Sequence, residues 1–153
     1  ELSIGEHTIL FKVQDSEGEW SDAKYGQLQI YATPVASANY IHWNDDTIPK
    51  DKFTTGEKVD FQGVGNDEDG EIVLYEWDFN GDGEFDWSSG DNGITTFIYN
   101  IEGNYEAVLR VTDNDGFTDT DSRLITVSES SLPSVSMIPA LISIGLIAIF
   151  RRK

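Results

Sequence analysis

The sequence predicts an all-β sandwich, and three observations carry the prediction. Two runs, Ile72 to Phe79 and Tyr105 to Val111, alternate with the strand period of two. Each is bordered by turns rich in Asp, Asn and Gly, such as Gly65–Gly70 and Asp113–Gly116. Other short runs of the same kind recur between residues 34 and 127, and no convincing helical period intervenes.

Residues 1–31 echo the later region at an offset of 98 positions. GEHTILFKVQDSEG from Gly5 lies over GNYEAVLRVTDNDG from Gly103, so Gly5, Val13, Asp15 and Gly18 match Gly103, Val111, Asp113 and Gly116. The inward positions His7, Ile9 and Phe11 answer to Tyr105, Ala107 and Leu109. Nothing in the first copy corresponds to what precedes the later hairpin. It therefore reads as the C-terminal hairpin remnant of a preceding module in a tandem array. An isolated hairpin is marginal in water, so this segment is expected to be poorly fixed unless it packs on a neighbour.

Thr33-Pro34 is the expected linker, and residues 32–128 form the sandwich domain. Its expected strands are Val35–Ala38, Lys58–Gln62, Ile72–Phe79, Thr95–Tyr99, Tyr105–Thr112 and Arg123–Val127. Residues 41–56 form a longer, irregular connection. Trp77 is expected as the central core aromatic between the sheets. Asp113, before Asn114-Asp115-Gly116, suits a turn in which its carboxylate accepts backbone N–H bonds.

Residues 129–136 are a serine-rich spacer, and residues 137–153 an expected transmembrane anchor with a basic tail. Counted from Val135, 16 uncharged residues precede Arg151-Arg152-Lys153. As a helix they would span about 24 Å at about 1.5 Å per residue, a little short of a hydrocarbon core of about 30 Å. Snorkelling of the basic end closes the gap and sets that end on the cytoplasmic side.

The net charge is −18, and its distribution narrows the function. Three of the ten basic residues sit at the C-terminus, so the chain before residue 131 holds 7 basic and 28 acidic residues. Such a surface repels nucleic-acid phosphates and excludes a nucleic-acid partner. It suits divalent cations or a salty exterior, and equally a surface kept soluble by repulsion. Without cysteine there is neither a disulfide framework nor a thiolate metal site.

One segment has the ligand spacing of a calcium loop. Asp78, Asn80, Asp82 and Asp86 fall at positions 1, 3, 5 and 9, with Gly83 at 6, where the loop must turn sharply. Ser89 stands at position 12 in place of a bidentate glutamate, and a strand rather than a helix leads in. The same residues equally describe a long hairpin loop with solvated carboxylates. Catalysis has little support. His7 and His42 are the sole imidazoles, and neither Gly-x-Ser-x-Gly nor His-Glu-x-x-His occurs.

Pro34-Val35-Ala36, Gly65-Asn66-Asp67-Glu68-Asp69-Gly70, Tyr75-Glu76-Trp77-Asp78-Phe79 and Gly103-Asn104-Tyr105 to Asp113 occur in this order over about 95 residues. In them the chain resembles the polycystic kidney disease (PKD) domain, an immunoglobulin-like β-sandwich of surface and secreted proteins. Asn80 is an insertion relative to the usual WDFGDG. The resemblance implies a tyrosine corner at Tyr105, with its hydroxyl bonded back to the chain. It also implies a second calcium position at Asn66, Asp67 and Asp69, aided by Asn39 of the first strand; the alternative is an Asx-type turn. The C-terminal segment is similar to archaeal PGF-type surface-sorting signals, with Leu132-Pro133-Ser134 where Pro-Gly-Phe would stand.

The expected function is a non-catalytic, membrane-anchored, extracellular spacer or adhesion module contacting protein or carbohydrate. The alternative is an accessory domain of a surface hydrolase whose catalytic part lies upstream. Trp43 and Trp87 are the aromatics placed to stack on a sugar ring, or to pack half-buried.

Overall fold

The computed structural model describes residues 2–41 and 52–130. Strands β1 (Gly5–Phe11) and β2 (Lys24–Ile30) form a two-stranded antiparallel sheet of their own. A three-stranded sheet has the order β3 (Val35–Ile41), β5 (Lys58–Asn66), β8 (Gly93–Ile98). The five-stranded sheet facing it contains β4 (Lys52–Thr54), β6 (Ile72–Asp78), β7 (Trp87–Ser89), β9 (Gly103–Asp113) and β10 (Thr118–Ser128). Its order is β4-β10-β9-β6-β7, and β4 alone runs parallel to its neighbour. The fold is thus an all-β, immunoglobulin-like sandwich.

Alternation builds the core. In β5, Val59, Phe61 and Gly63 face inward, and in β9 Ala107, Leu109 and Val111 do, while their neighbours reach the surface. Trp77 is fully buried at the centre, 4.9 Å from the Phe61 ring and stacked 6.2 Å from Phe79. Its indole N–H donates to the carbonyl of Gly93 at 3.0 Å, which satisfies the one polar group the ring carries. The Gly63–Gly93 pair makes room for this. A Cβ on Gly93 would lie 2.6 Å from the Gly63 carbonyl oxygen, and one on Gly63 would lie 2.7 Å from Leu109. Phe79, Phe97, Tyr99 and Tyr105 continue the aromatic row with centroids 4.4–4.8 Å apart. The Tyr105 hydroxyl donates to the Ile101 carbonyl at 2.9 Å and pins the turn before β9.

Several strands differ from the expected bounds, for physical reasons. β10 begins at Thr118, five residues before Arg123, because residues 118–122 pair with Val108–Thr112 of β9; they are polar, so no apolar period marks them in the sequence. Two of those residues instead reach the other sheet. Asp119 accepts from the Ala36 N–H and Asp121 from the Ala38 N–H, both at 2.8 Å. The Arg123 guanidinium donates to the Ala38 carbonyl. These bonds cap the open side of β3, and the pairing of Asn39, Tyr40 and Ile41 with Gln62, Phe61 and Asp60 of β5 carries the strand to Ile41. β4 and β7 were not expected, since three residues are too few to show a period.

In β1, Ile9 and Phe11 are exposed rather than inward, because nothing covers that face among the described residues. The expected transmembrane segment 137–153, and His42 and Trp43, lie outside the described residues. No helix among the described residues is long and apolar enough to cross a membrane.

Candidate functional site

Two acidic constellations lie at opposite ends of β6. Its first residue, Ile72, pairs with Asp113, and its last, Asp78, pairs with Val108. The 78–86 loop is therefore about 20 Å along the strand from the 67–71 turn.

The 78–86 loop folds around its first carboxylate. Asp78 is buried; its Oδ1 accepts from the N–H groups of Asn80 (3.1 Å) and Gly81 (2.7 Å), and its Oδ2 from Gly83 (2.8 Å). Asp86 Oδ2 accepts from the Phe79 N–H at 2.9 Å. Asp82 takes the Glu84 N–H and the Asn80 side-chain amide, which together hold its carboxyl below the usual range. Gly81 and Gly83 have φ of 75° and 91°, so the loop needs glycine at both. The four residues expected as ligands share this loop, and at least one oxygen of each accepts from the loop's own donors. Burial raises the nearby Tyr99 phenol well above its usual range, and its hydroxyl donates to the Phe79 carbonyl at 2.7 Å.

The second constellation joins two turns where the chain enters the sandwich. Asp113 is 1% exposed and its Oδ1 accepts from the N–H groups of Asp115 (2.9 Å) and Phe117 (2.8 Å). Its Oδ2 is buried and accepts nothing. From the facing turn, Asp67 Oδ1 accepts from the Glu68 N–H, while its Oδ2 is also buried and without a donor. Asn114 ties the two turns together. Its N–H donates to the Glu71 carbonyl at 3.0 Å, and its Oδ1 accepts from the Glu71 N–H at 2.7 Å. A Cβ on Gly70 would run into Asn114 Oδ1 and lie 2.6 Å from Asp67 Oδ2, so a larger residue there has to displace both side chains.

Asp69 accepts from the Ala32 N–H at 3.1 Å, and the Tyr31 ring lies 6.0 Å from Phe117; both contacts anchor the incoming linker. The Asp115 carboxyl is held above its ordinary range, first by desolvation, then by Asp113, Asp69 and Asp67. Buried acceptors without donors, in a set of mutually repelling carboxylates, have the chemistry of a receptor for a hard cation.

Asn66 ends β5, exposed and paired with Val35, beside this cluster. Asn39 is not brought to it. The register sets Asn39 opposite Gln62, about 13 Å along the strand from Asn66. Its side chain bonds instead to Arg123 at 3.2 Å and Ser37 at 3.2 Å. Asp115 and Asn114 were not singled out in the sequence. The signal was there: Asp113-x-Asp115-Gly116 repeats the Asp67-x-Asp69-Gly70 pattern. Among the described residues, no three His, Asp or Glu side chains stand close enough together to hold a metal ion as they are placed. Trp87 is half-buried against the core, and the His7 ring nitrogen lies 2.6 Å from the Ser3 carbonyl.

The sequence model described as PKD domain matches residues 48–126. Collagenase ColA of Clostridium perfringens is 47% identical over 74 residues, 48% of this chain and 6% of that protein. The pre-pro-metalloprotease PrtV of Vibrio cholerae is 37% identical over 82 residues, 53% of this chain and 8% of that protein. The chain thus spans less than a tenth of these curated relatives. A solved structure from work on the promiscuous specificity of carbohydrate-binding modules of the beta-sandwich superfamily superposes with a TM-score of 0.53 at 31% identity. The match covers 65% of this chain and 36% of that one.

Proposed function

The chain belongs to the PKD domain family, and from that premise we propose a non-catalytic extracellular module that spaces and orients its neighbours, its linker end stiffened by calcium. The observation that carries the proposal is the pair of buried, donorless oxygens, Asp67 Oδ2 and Asp113 Oδ2, on two turns stitched by Asn114. With Asp69 and Asp115, the two turns offer four carboxylates, and water or backbone oxygens would complete the six to eight ligands that Ca²⁺ takes. The cation draws the turns together and relieves their mutual repulsion. The 78–86 loop serves as a self-capped hairpin end, because its donors already satisfy Asp78.

Calorimetric titration of the chain with calcium tests this. Binding heat is expected, lost in Asp67→Ala and kept in Asp82→Ala. Absence of heat, or loss only in Asp82→Ala, would move the cation elsewhere or remove it.

A second reading concerns the parent protein. The relatives named above are a collagenase and a metalloprotease in which the matched segment is 6–8% of the length. That favours an accessory domain of a secreted or surface-anchored hydrolase over a purely adhesive array. A zinc or nucleophile motif in the upstream coding sequence would establish it; sandwich repeats alone would favour the spacer. The membrane anchor at 137–153 and contacts to protein or carbohydrate belong to the same proposal. The half-buried packing of Trp87 gives the sugar-stacking role no support.

A further inference from the structure

The tip of the β1–β2 hairpin reproduces the tip of the β9–β10 hairpin bond by bond. At its tip Asp15 N donates to the Glu19 carbonyl (2.9 Å), and Asp15 Oδ1 accepts from the N–H groups of Glu17 and Glu19 (2.9 Å each). At the other tip Asp113 N donates to the Phe117 carbonyl (3.0 Å), and Asp113 Oδ1 accepts from Asp115 and Phe117. In both, a glycine N–H bonds the aspartate carbonyl at 3.2 Å, from Gly18 and Gly116, whose φ values are 90° and 88°. The register agrees at the tip, where Gln14 bridges Trp20 as Thr112 pairs with Thr118. Farther out β2 is shifted by one residue: His7 pairs with Leu28 and Gly5 with Ile30, whereas Tyr105 pairs with Ile125 and Gly103 with Val127.

The two hairpins differ in what covers them. Ala107, Leu109 and Val111 are fully buried under the facing sheet, with Leu109 beside Gly63 and Val111 beside Gly65 of β5. Their counterparts Ile9, Phe11 and Val13 are 48%, 64% and 54% exposed. Among the described residues, β1 also has no strand on its outer edge, where β9 pairs with β6. A row of apolar side chains beside an unpaired edge is an incomplete sheet, because water must solvate both.

We propose that β1–β2 is the closing hairpin of a second sandwich of this same architecture, whose other strands precede it in the chain. Ile9, Phe11 and Val13 then pack into that sandwich's core, and the outer edge of β1 pairs with its counterpart of β6. The inference rests on the hairpin alone and does not depend on calcium.

The coding sequence upstream gives the first test. The 98-residue offset places a tryptophan-centred strand about 20 residues before Glu1, and an Asp-x-Asp-Gly turn about 30 residues before it. Absence of both overturns the proposal. Hydrogen exchange on the protein extended through that stretch gives the second. The amides of Gly5–Phe11 are expected to be protected as strongly as those of β9, and to exchange at least 100-fold faster in residues 1–153 alone. Equally fast exchange in both would overturn it. So would protection that grows with protein concentration in the short chain, which would assign the face to a second copy.

Discussion

Asp115 carries the electrostatic prediction for the proposed cation site. Its carboxyl is held above the ordinary value of 3.8 by desolvation and by Asp113, Asp69 and Asp67. The folded protein therefore holds that proton more tightly than the unfolded chain does. The resulting stabilisation is fully present below pH 3.8 and is lost as pH rises through the folded value. A bound cation reverses the preference, since it favours the ionised carboxylate. Asp115→Asn is thus expected to raise the melting temperature in EDTA and to shrink the rise that calcium produces. Calcium affinity is expected to fall from pH 7 to pH 4, as titration at the two pH values would read. Gly70 carries a steric prediction at the same scale. Gly70→Ala forces Asn114 Oδ1 from its bond to Glu71, and denaturant unfolding should show a loss of about 1–3 kcal/mol.

Among the elements, the 78–86 loop is the self-capped one, and the proposed cation site belongs to the β9–β10 hairpin and the turn facing it. Asp78→Ala leaves the N–H groups of Asn80, Gly81 and Gly83 without their acceptor. The expected cost is about 2–4 kcal/mol, equal in calcium and in EDTA. An exposed Asp82→Ala should cost far less, and urea midpoints for the pair would show whether the loop caps itself. The spacing of oxygen ligands in this loop was legible in the sequence, but the donors that occupy them were not, because spacing does not reveal which backbone N–H groups turn inward. Alternation around Phe61, Trp77 and Leu109 made the sandwich legible. It failed where side chains serve the other sheet, as Asp119 and Asp121 do for β3, and where β4 and β7 are too short to alternate. The site itself was half legible. Asp67 and Asp69 stood out, whereas Asp115 joins them only once the β9–β10 hairpin brings the second turn beside the first.

For the whole molecule, charge and connectivity decide what calcium does. The described sandwich carries a large excess of carboxylates, so salt alone should stabilise it somewhat by screening. A specific site adds a term that matched sodium chloride cannot reproduce. The linker also ends in this cluster, through Ala32 on Asp69 and Tyr31 on Phe117, so occupancy of the proposed site would stiffen the approach of whatever precedes the sandwich. The measurement that bears most directly on this account is thermal unfolding of the chain in EDTA, then in millimolar calcium, at constant ionic strength. A one-site linkage gives a gain of about 2.7 kcal/mol at 100-fold over the dissociation constant. The account predicts a clear upward shift that Asp113→Ala abolishes and Asp82→Ala retains. An unchanged melting temperature, or a shift that survives Asp113→Ala, would contradict it.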